Sequence, residues 1–357
     1  MNPSLNAVQQ NIQTLYQLLD VAGCDYAVYD TGRLVTKISN NDFIAFEDGL
    51  KPYPTPIQQM AKFALVYWPK QSKHNPYIWF LNLPIDEESL INSGARNHFV
   101  SIITEALGST FAAEDSAQQK IPDNPYIKPP EEKKLAILNA KVKQDLGQPA
   151  SPEYLKCAAY FENYQAGTQQ ASSWQQLSTQ GMADFVTDLT LPNNQNSFDN
   201  VYFDLPLALQ TELASLLEHA VISRALANRL IRSVRQQQFT LDQSLTNSLR
   251  ILASHANSQN FRELLIDLLA TESGKSTDVL TVLVARNWSA LQQDICLVAF
   301  LEHIAVNTSP SVFNALFADL VAIPSLRKPI FQLLAEELML PETRKALRNM
   351  VSSQQRV

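Results

Sequence analysis

The chain predicts an α+β N-terminal domain, a small antiparallel sheet with flanking helices, followed by an all-α, HEAT-like helical-repeat C-terminal domain. Three observations point there. Short runs rich in Val, Ile, Phe, Tyr and Trp are confined to the first hundred or so residues. From Glu131 onward every apolar pattern has helical spacing. In the last part of the chain those patterns recur at a nearly fixed interval. The expected organisation is a small α+β domain over residues 1–111, a Pro-rich linker over 112–130, connecting helices over 131–204 and the helical-repeat array over 205–357.

The first element reads as an amphipathic helix. Leu5, Val8, Ile12, Leu15, Leu18 and Leu19 share one face, and Gly23 stops it. Five strand-like runs follow: CDYAVYD, RLVTKIS, DFIAFED, KFALVYWP and PYIWFLNLP, separated by Gly, Pro, Asn and Asp. Short connections favour antiparallel pairing. In the last run Tyr77, Trp79, Leu81 and Leu83 point to one face, and Ile78 and Phe80 to the other. Two apolar faces predict a central strand. ARNHFVSIITEALG then returns as a helix. Ala, Gln and charged residues lead into Pro122, Pro125, Pro129 and Pro130, the composition of a connector.

EEKKLAILNAKVKQDLG opens with acidic residues that suit a helix N-terminus. SPEYLKCAAYFENYQAG has Ser151 as N-cap, Pro152 at the first helical position and Gly167 at its end. SSWQQLSTQGMADFVTDL carries Gly181 inside, where two helices approach closely, and Asn193 to Asn200 read as a polar loop. Apolar stripes at i, i+3, i+4, i+7, i+8 start at residues 261, 280, 297, 313 and 330. Alternate stripes are therefore 33 to 36 residues apart, the length of a helix pair in a repeat protein. Each pair would bury its apolar face on its neighbours.

SGKST, Ser273 to Thr277, resembles the end of a phosphate-binding loop. The full pattern needs a glycine five positions before Gly274 and a strand in front. Leu269 stands at that position, and FRELLIDLLATE has helical period. The expected reading is a helix junction, with Gly274 left-handed after one helix and Ser276 or Thr277 capping the next.

The formal charge of −7 argues against broad nucleic-acid or anionic-membrane binding, and only 9 glycines argue against nucleotide-binding folds. Cys24, Cys157 and Cys296 form no metal spacing and suit reduced, buried thiols. MNPSLNAVQQ has no basic start before an apolar run, so no signal peptide is expected, and no apolar stretch reaches spanning length. These features predict a cytoplasmic protein without cofactor or metal. Among His74, His98, His219, His255 and His303 no two are spaced as helical metal ligands. Glu218-His219 and Glu302-His303 are neighbours that a helix would aim to different sides.

SRALANRLIRSVRQQQ carries the one charged pattern with a direction. Ile222, Leu226, Leu230, Ile231 and Val234 share one half of the helical wheel; Arg224, Arg229, Arg232 and Arg235 share the other. These four arginines are the candidate partner-binding residues, set against the plainer reading of a solvated helix face. The functional expectation is a non-enzymatic interaction or scaffold protein. Its array would meet a protein partner, and the N-terminal domain would give a second contact or a dimer interface. The alternative is an enzyme of unfamiliar type, with a site between the sheet and the helices using Asp86, Glu87 or Glu88 and a histidine such as His98.

PYPTPIQQMAKFALVYWP, PYIWFLNLPIDEESL, WQQLSTQGMADF and LLEHAVISRALANRLI together resemble a full-length family of gammaproteobacterial proteins, domain of unknown function 3549. The resemblance implies a bacterial cytoplasmic protein and carries over no catalytic residue.

Overall fold

The computed structural model describes residues 12–72, 75–107, 121–168, 170–335 and 339–354. Leu5, Val8, His74 and Leu338 lie outside them. The chain divides into two compact units: Met1–Glu131 with Asp145–Gln148, and Glu132–Gln144 with Pro149–Val357.

Helix α1 (Leu15–Val21) opens the first unit, and Gly23 ends it with φ +68°. Strands β1 (Cys24–Asp30), β2 (Thr36–Ile38), β3 (Met60–Pro69) and β4 (Tyr77–Pro84) form one antiparallel sheet of order β2-β1-β3-β4. Helix α2 (Asn40–Glu47) follows β2, and α3 (Ser93–Leu107) follows β4. Leu15, Leu18, Phe43, Phe46, Phe63, Leu65, Trp79, Leu81 and Phe99 meet in one core. Its rings pack edge-on, as Phe43 on Phe63 and Trp79 on Phe99 do.

Three expectations for this unit are corrected. DFIAFED is helical. Ser39 Oγ accepts from the Asp42 amide at 3.1 Å, and burying Phe43, Phe46 and Glu47 together needs helical spacing, not alternation. RLVTKIS keeps only three strand residues. Arg33 turns fully inward and donates through Nε and Nη2 to the Pro56 carbonyl at 3.1 and 2.8 Å, which holds the chain off the sheet. The central strands are β1 and β3; β4 ends the strand order with Trp79, Leu81 and Leu83 turned to the core. Residues 126–128 of the Pro-rich segment pair along the outer edge of β4. Asn82 N donates to Tyr126 O at 2.8 Å and Lys128 N to Phe80 O at 2.9 Å. Pairing there satisfies backbone groups that an edge leaves open.

The second unit is helical: α4 (Glu132–Asp145, its last residue counted with the first unit), α5 (Pro152–Gln165), α6 (Thr179–Thr187), α7 (Pro192–Val201), α8 (Leu207–Leu217), α9 (Arg224–Gln236), α10 (Gln243–Ile251), α11 (Gln259–Leu269), α12 (Thr277–Arg286), α13 (Asp294–Asn307), α14 (Pro310–Ala322), α15 (Pro324–Ala335) and α16 (Pro341–Gln354). The residues expected as a polar loop at 193–200 belong to α7. Pro192 starts it, and Asn194, Ser197, Phe198 and Val201 form its buried face. Gly181 on α6 is where α5 presses closest: a Cβ there would stand 2.8 Å from the Glu153 carbonyl oxygen.

From α8 onward each helix packs on the next but one. α8, α10, α12 and α14 form one row and α9, α11, α13 and α15 the other, with α16 packed on both α13 and α14. The cause is the stripe pattern: Phe261, Leu264, Leu265, Leu268 and Leu269 are all buried, as are Leu297, Phe300, Leu301 and Ile304. Hydrogen bonds between successive members of a row join residues 32 to 38 apart, among them Asn228–Asn260 and Asn287–Leu249. This unit takes in residues 132–144 and 149–204 together with 205–357.

SGKST joins α11 to α12 as a single 3-10 turn over Ser273–Lys275. Gly274 is not left-handed. It is glycine because a Cβ would lie 2.4 Å from the Leu268 carbonyl oxygen. Ser276 holds the N-cap position without a side-chain cap bond, and Asp278 sits in the first turn.

Candidate functional site

Helix α9 is set by Ser223, whose hydroxyl oxygen accepts from the Leu226 amide at 2.9 Å. Leu226, Ala227, Leu230, Ile231 and Val234 are buried, so the helix is docked by one face. The four arginines on the other side meet different fates. Arg229 lies 4.6 Å from the centre of the Phe203 ring and donates through Nη1 to the Asp199 carbonyl at 2.5 Å. Arg235 forks onto Asp267 Oδ2 of α11 at 3.1 and 2.7 Å. Among the described residues Arg232 reaches only the Asn228 carbonyl, at 3.3 Å. Arg224 makes no hydrogen bond or ion pair among the described residues, and both Arg224 and Arg232 are exposed.

Arg224 lines a groove of about 580 Å³ together with Asn228, His255, Asn257, Gln259 and Asn260. Neighbours in one row, α9 and α11 run parallel: Asn260 Nδ2 donates to Asn228 Oδ1 at 2.9 Å, and Arg235 meets Asp267 with the same offset of 32 residues. Ala227 and Ile231 form the apolar part of the wall. His255 Nε2 is 2.9 Å from the Ile222 carbonyl, which can only accept, so the neutral ring keeps Nδ1 as an acceptor. The wheel found Arg224 but missed the amides. For Asn257, Gln259 and Asn260 the signal was NSQN, which leads directly into the stripe that starts at Phe261.

A second cluster is buried. Glu218 is 3% exposed, with Oε1 2.9 Å from Arg286 Nε and Oε2 3.3 Å from Arg250 Nε. His219 Nε2 lies 3.4 Å from Glu218 Oε1, and Lys141 Nζ donates to the His219 carbonyl at 2.7 Å. The wheel argument that aimed these neighbours apart fails because α8 ends at Leu217, and His219 already lies beyond the helix. Burial, with Arg286, Lys134, Lys141 and Arg250 nearby, holds His219 well below the usual imidazole range. Glu302 and His303 do diverge: Glu302 Oε2 accepts from Thr343, and His303 Nε2 contacts the Gly274 carbonyl at 3.0 Å.

The acidic turn of the first unit closes on itself. Asp86 Oδ1 accepts from the Glu88 and Leu90 amides at 2.9 and 2.8 Å, and Glu87 and Glu88 are exposed. His98 Nδ1 pairs with the Tyr126 hydroxyl at 3.0 Å. No hydrogen bond or ion pair joins His98 to these acids among the described residues. No described group of three or more His, Cys, Asp or Glu could hold a metal ion. Cys24, Cys157 and Cys296 are free and buried, and burial pushes the Cys24 thiol up to about 11. No described helix is long and apolar enough to cross a membrane.

An α+β unit joined to a two-row helical unit, with an arginine-bearing groove in the latter, is the class of protein seen here. The chain belongs to the family described as Protein of unknown function (DUF3549), whose profile matches residues 10–351. No curated protein and no solved structure matches it.

Proposed function

We propose that this protein is a non-enzymatic interaction or scaffold protein of the bacterial cytoplasm, with the helical array serving as an α-solenoid for a protein partner. One observation carries the reading. On a helix whose apolar face is docked, Arg229 and Arg235 are consumed within the chain, while Arg224 and Arg232 are exposed with no carboxylate partner among the described residues. Unpaired guanidiniums on a fixed helix suit an acidic protein surface. The two-row stacking supports it, because such arrays use the faces of their rows for binding. The net charge of −7 weighs against nucleic acid.

The test is affinity capture from a bacterial lysate with the wild type and with Arg224→Gln/Arg232→Gln. Exposed substitutions usually move stability by less than about 0.5 kcal/mol, so the melting temperature should stay within a few degrees. A protein captured by the wild type, lost at raised salt and lost in the variant is the expected result. No protein above background, or an identical set with both baits, ends the proposal.

A further inference from the structure

The groove between α9 and α11 has more than a charge: it has the means to read a backbone. From its lining we propose that it binds a short extended peptide segment carrying a carboxylate side chain, supplied by a protein partner. This rests on the interaction reading above and assigns it a place and a ligand chemistry.

Charge selects the side chain. Arg224 has no hydrogen bond or ion pair among the described residues, and a guanidinium fork matches a carboxylate with two parallel bonds. The amides select the main chain. A side-chain amide offers two donor hydrogens and an acceptor oxygen. Asn228 and Asn260 spend one donor and one acceptor on each other, at 2.9 Å, which leaves the Asn228 amide nitrogen and the Asn260 carbonyl oxygen for a ligand. One donor and one acceptor on adjacent helices match the N–H and C=O of an extended residue. His255 Nδ1 adds a further acceptor. Asn257 Oδ1 already accepts from Arg262 Nη1 at 3.2 Å, and Gln259 Nε2 donates to Glu263 at 2.9 Å, so those two contribute shape first.

Other occupants fit less well. A nucleic-acid backbone needs several cations along a track, and this groove offers one arginine. An apolar ligand would desolvate the amide groups lining the groove and leave the unspent Asn228 donor and Asn260 acceptor without partners. A free inorganic anion could use Arg224 and the Asn228 donor but would leave the Asn260 acceptor unused. A volume of about 580 Å³ falls in the range of pockets that hold small ligands or short segments.

The experiment is an immobilised array of varied peptides, each with a central Glu, with matched arrays carrying Gln or Lys there. It is probed with the full-length chain. We expect spots that bind with Glu and fade with Gln or Lys. Arg224→Glu should weaken them at least about tenfold, and Asn260→Ala about three- to tenfold, in line with loss of one charged or one neutral hydrogen bond. Arg348→Glu, an exposed substitution on α16, should leave them unchanged. Circular dichroism of each variant confirms the fold. Spots indifferent to the central charge, spots retained by Arg224→Glu, or no Glu-dependent spot at all would overturn the proposal. Complete displacement by millimolar inorganic phosphate with no effect of Asn260→Ala would also overturn it, since the groove would then read an anion and not a peptide. If capture yields a partner that Arg224→Glu and Asn260→Ala both retain, the interaction reading stands and this site falls.

Discussion

Glu218 lies where three helices of one row come together, buried between Arg250 of α10 and Arg286 of α12. Its carboxylate stands beside His219 in a setting made cationic by Arg286, Lys134, Lys141 and Arg250. Glu218→Gln removes that charge and leaves guanidiniums facing a neutral amide. Breaking a buried pair from one side costs about 3–5 kcal/mol. Arg250, 36% exposed, can turn to solvent, whereas Arg286, 12% exposed, has less freedom, so the expected cost is about 3 kcal/mol. Urea unfolding reads it; a loss under about 1 kcal/mol would show that the cluster holds nothing together. Glu47 is a buried acid of another kind. Its Oε1 and Oε2 accept from the Leu15 and Tyr16 amides, each at 2.9 Å, capping α1 from α2. Burial pushes its carboxyl up to about 7 against the pull of those amides and of Arg96. Between the ordinary 4.5 and about 7 the folded chain therefore holds a proton that the unfolded chain has released, and stability falls as pH rises through that window. Glu47→Gln cannot titrate and loses one acceptor, at about 1 kcal/mol. Its deficit against the wild type should shrink as pH is raised from about 5 to about 7. A deficit that stays constant would mean the carboxylate is ionised throughout.

At the scale of elements, the junction SGKST separates two readings of the same letters. A phosphate loop would depend on Lys275; a helix junction depends on Gly274. Lys275 pairs with exposed Glu272 at 2.6 Å, and surface pairs contribute little. A methyl group at Gly274 would drive into the Leu268 carbonyl. Gly274→Ala should cost about 1–3 kcal/mol and disturb the contact of His303 with the Gly274 carbonyl, while Lys275→Ala stays within about 0.5 kcal/mol. Thermal melts of the two variants check this, and equal effects would refute it. The same scale explains which elements were misread. DFIAFED has strand composition, yet Ser39 and Asp42 make a helix start, and local capping outweighed propensity. PNNQNSFDNV has loop composition, yet Phe198 and Val201 give it a face worth burying. Gly181 was legible as a close approach because a lone glycine inside a helical pattern has few other uses.

For the whole molecule, two compact units predict separable folding. The fragment of residues 132–357 contains its own buried stripes and its own cross-helix bonds, and it should give a helical circular dichroism spectrum with a cooperative melt. A fragment that is unfolded alone would show that this unit depends on the first. The sequence by itself determined the split between a strand-rich beginning and a helical remainder, the stripes of the array and their spacing of 33 to 36 residues, and the arginine face of α9. Each of these follows from local periodicity, which the 100° turn of a helix or the alternation of a strand writes into consecutive residues. Only the tertiary structure decided that β4 lies at the end of the sheet under Tyr126–Lys128, that Glu218 and His219 converge, and which arginines are spent. It alone also set Asn228 beside Asn260. Each of these depends on which distant segment arrives at a given face. Partners such as Asp267 for Arg235 sit 32 residues away, beyond the reach of any one helical wheel. Pairing at that distance is fixed by the packing of whole rows, in which the fit of all the buried side chains is decided at once.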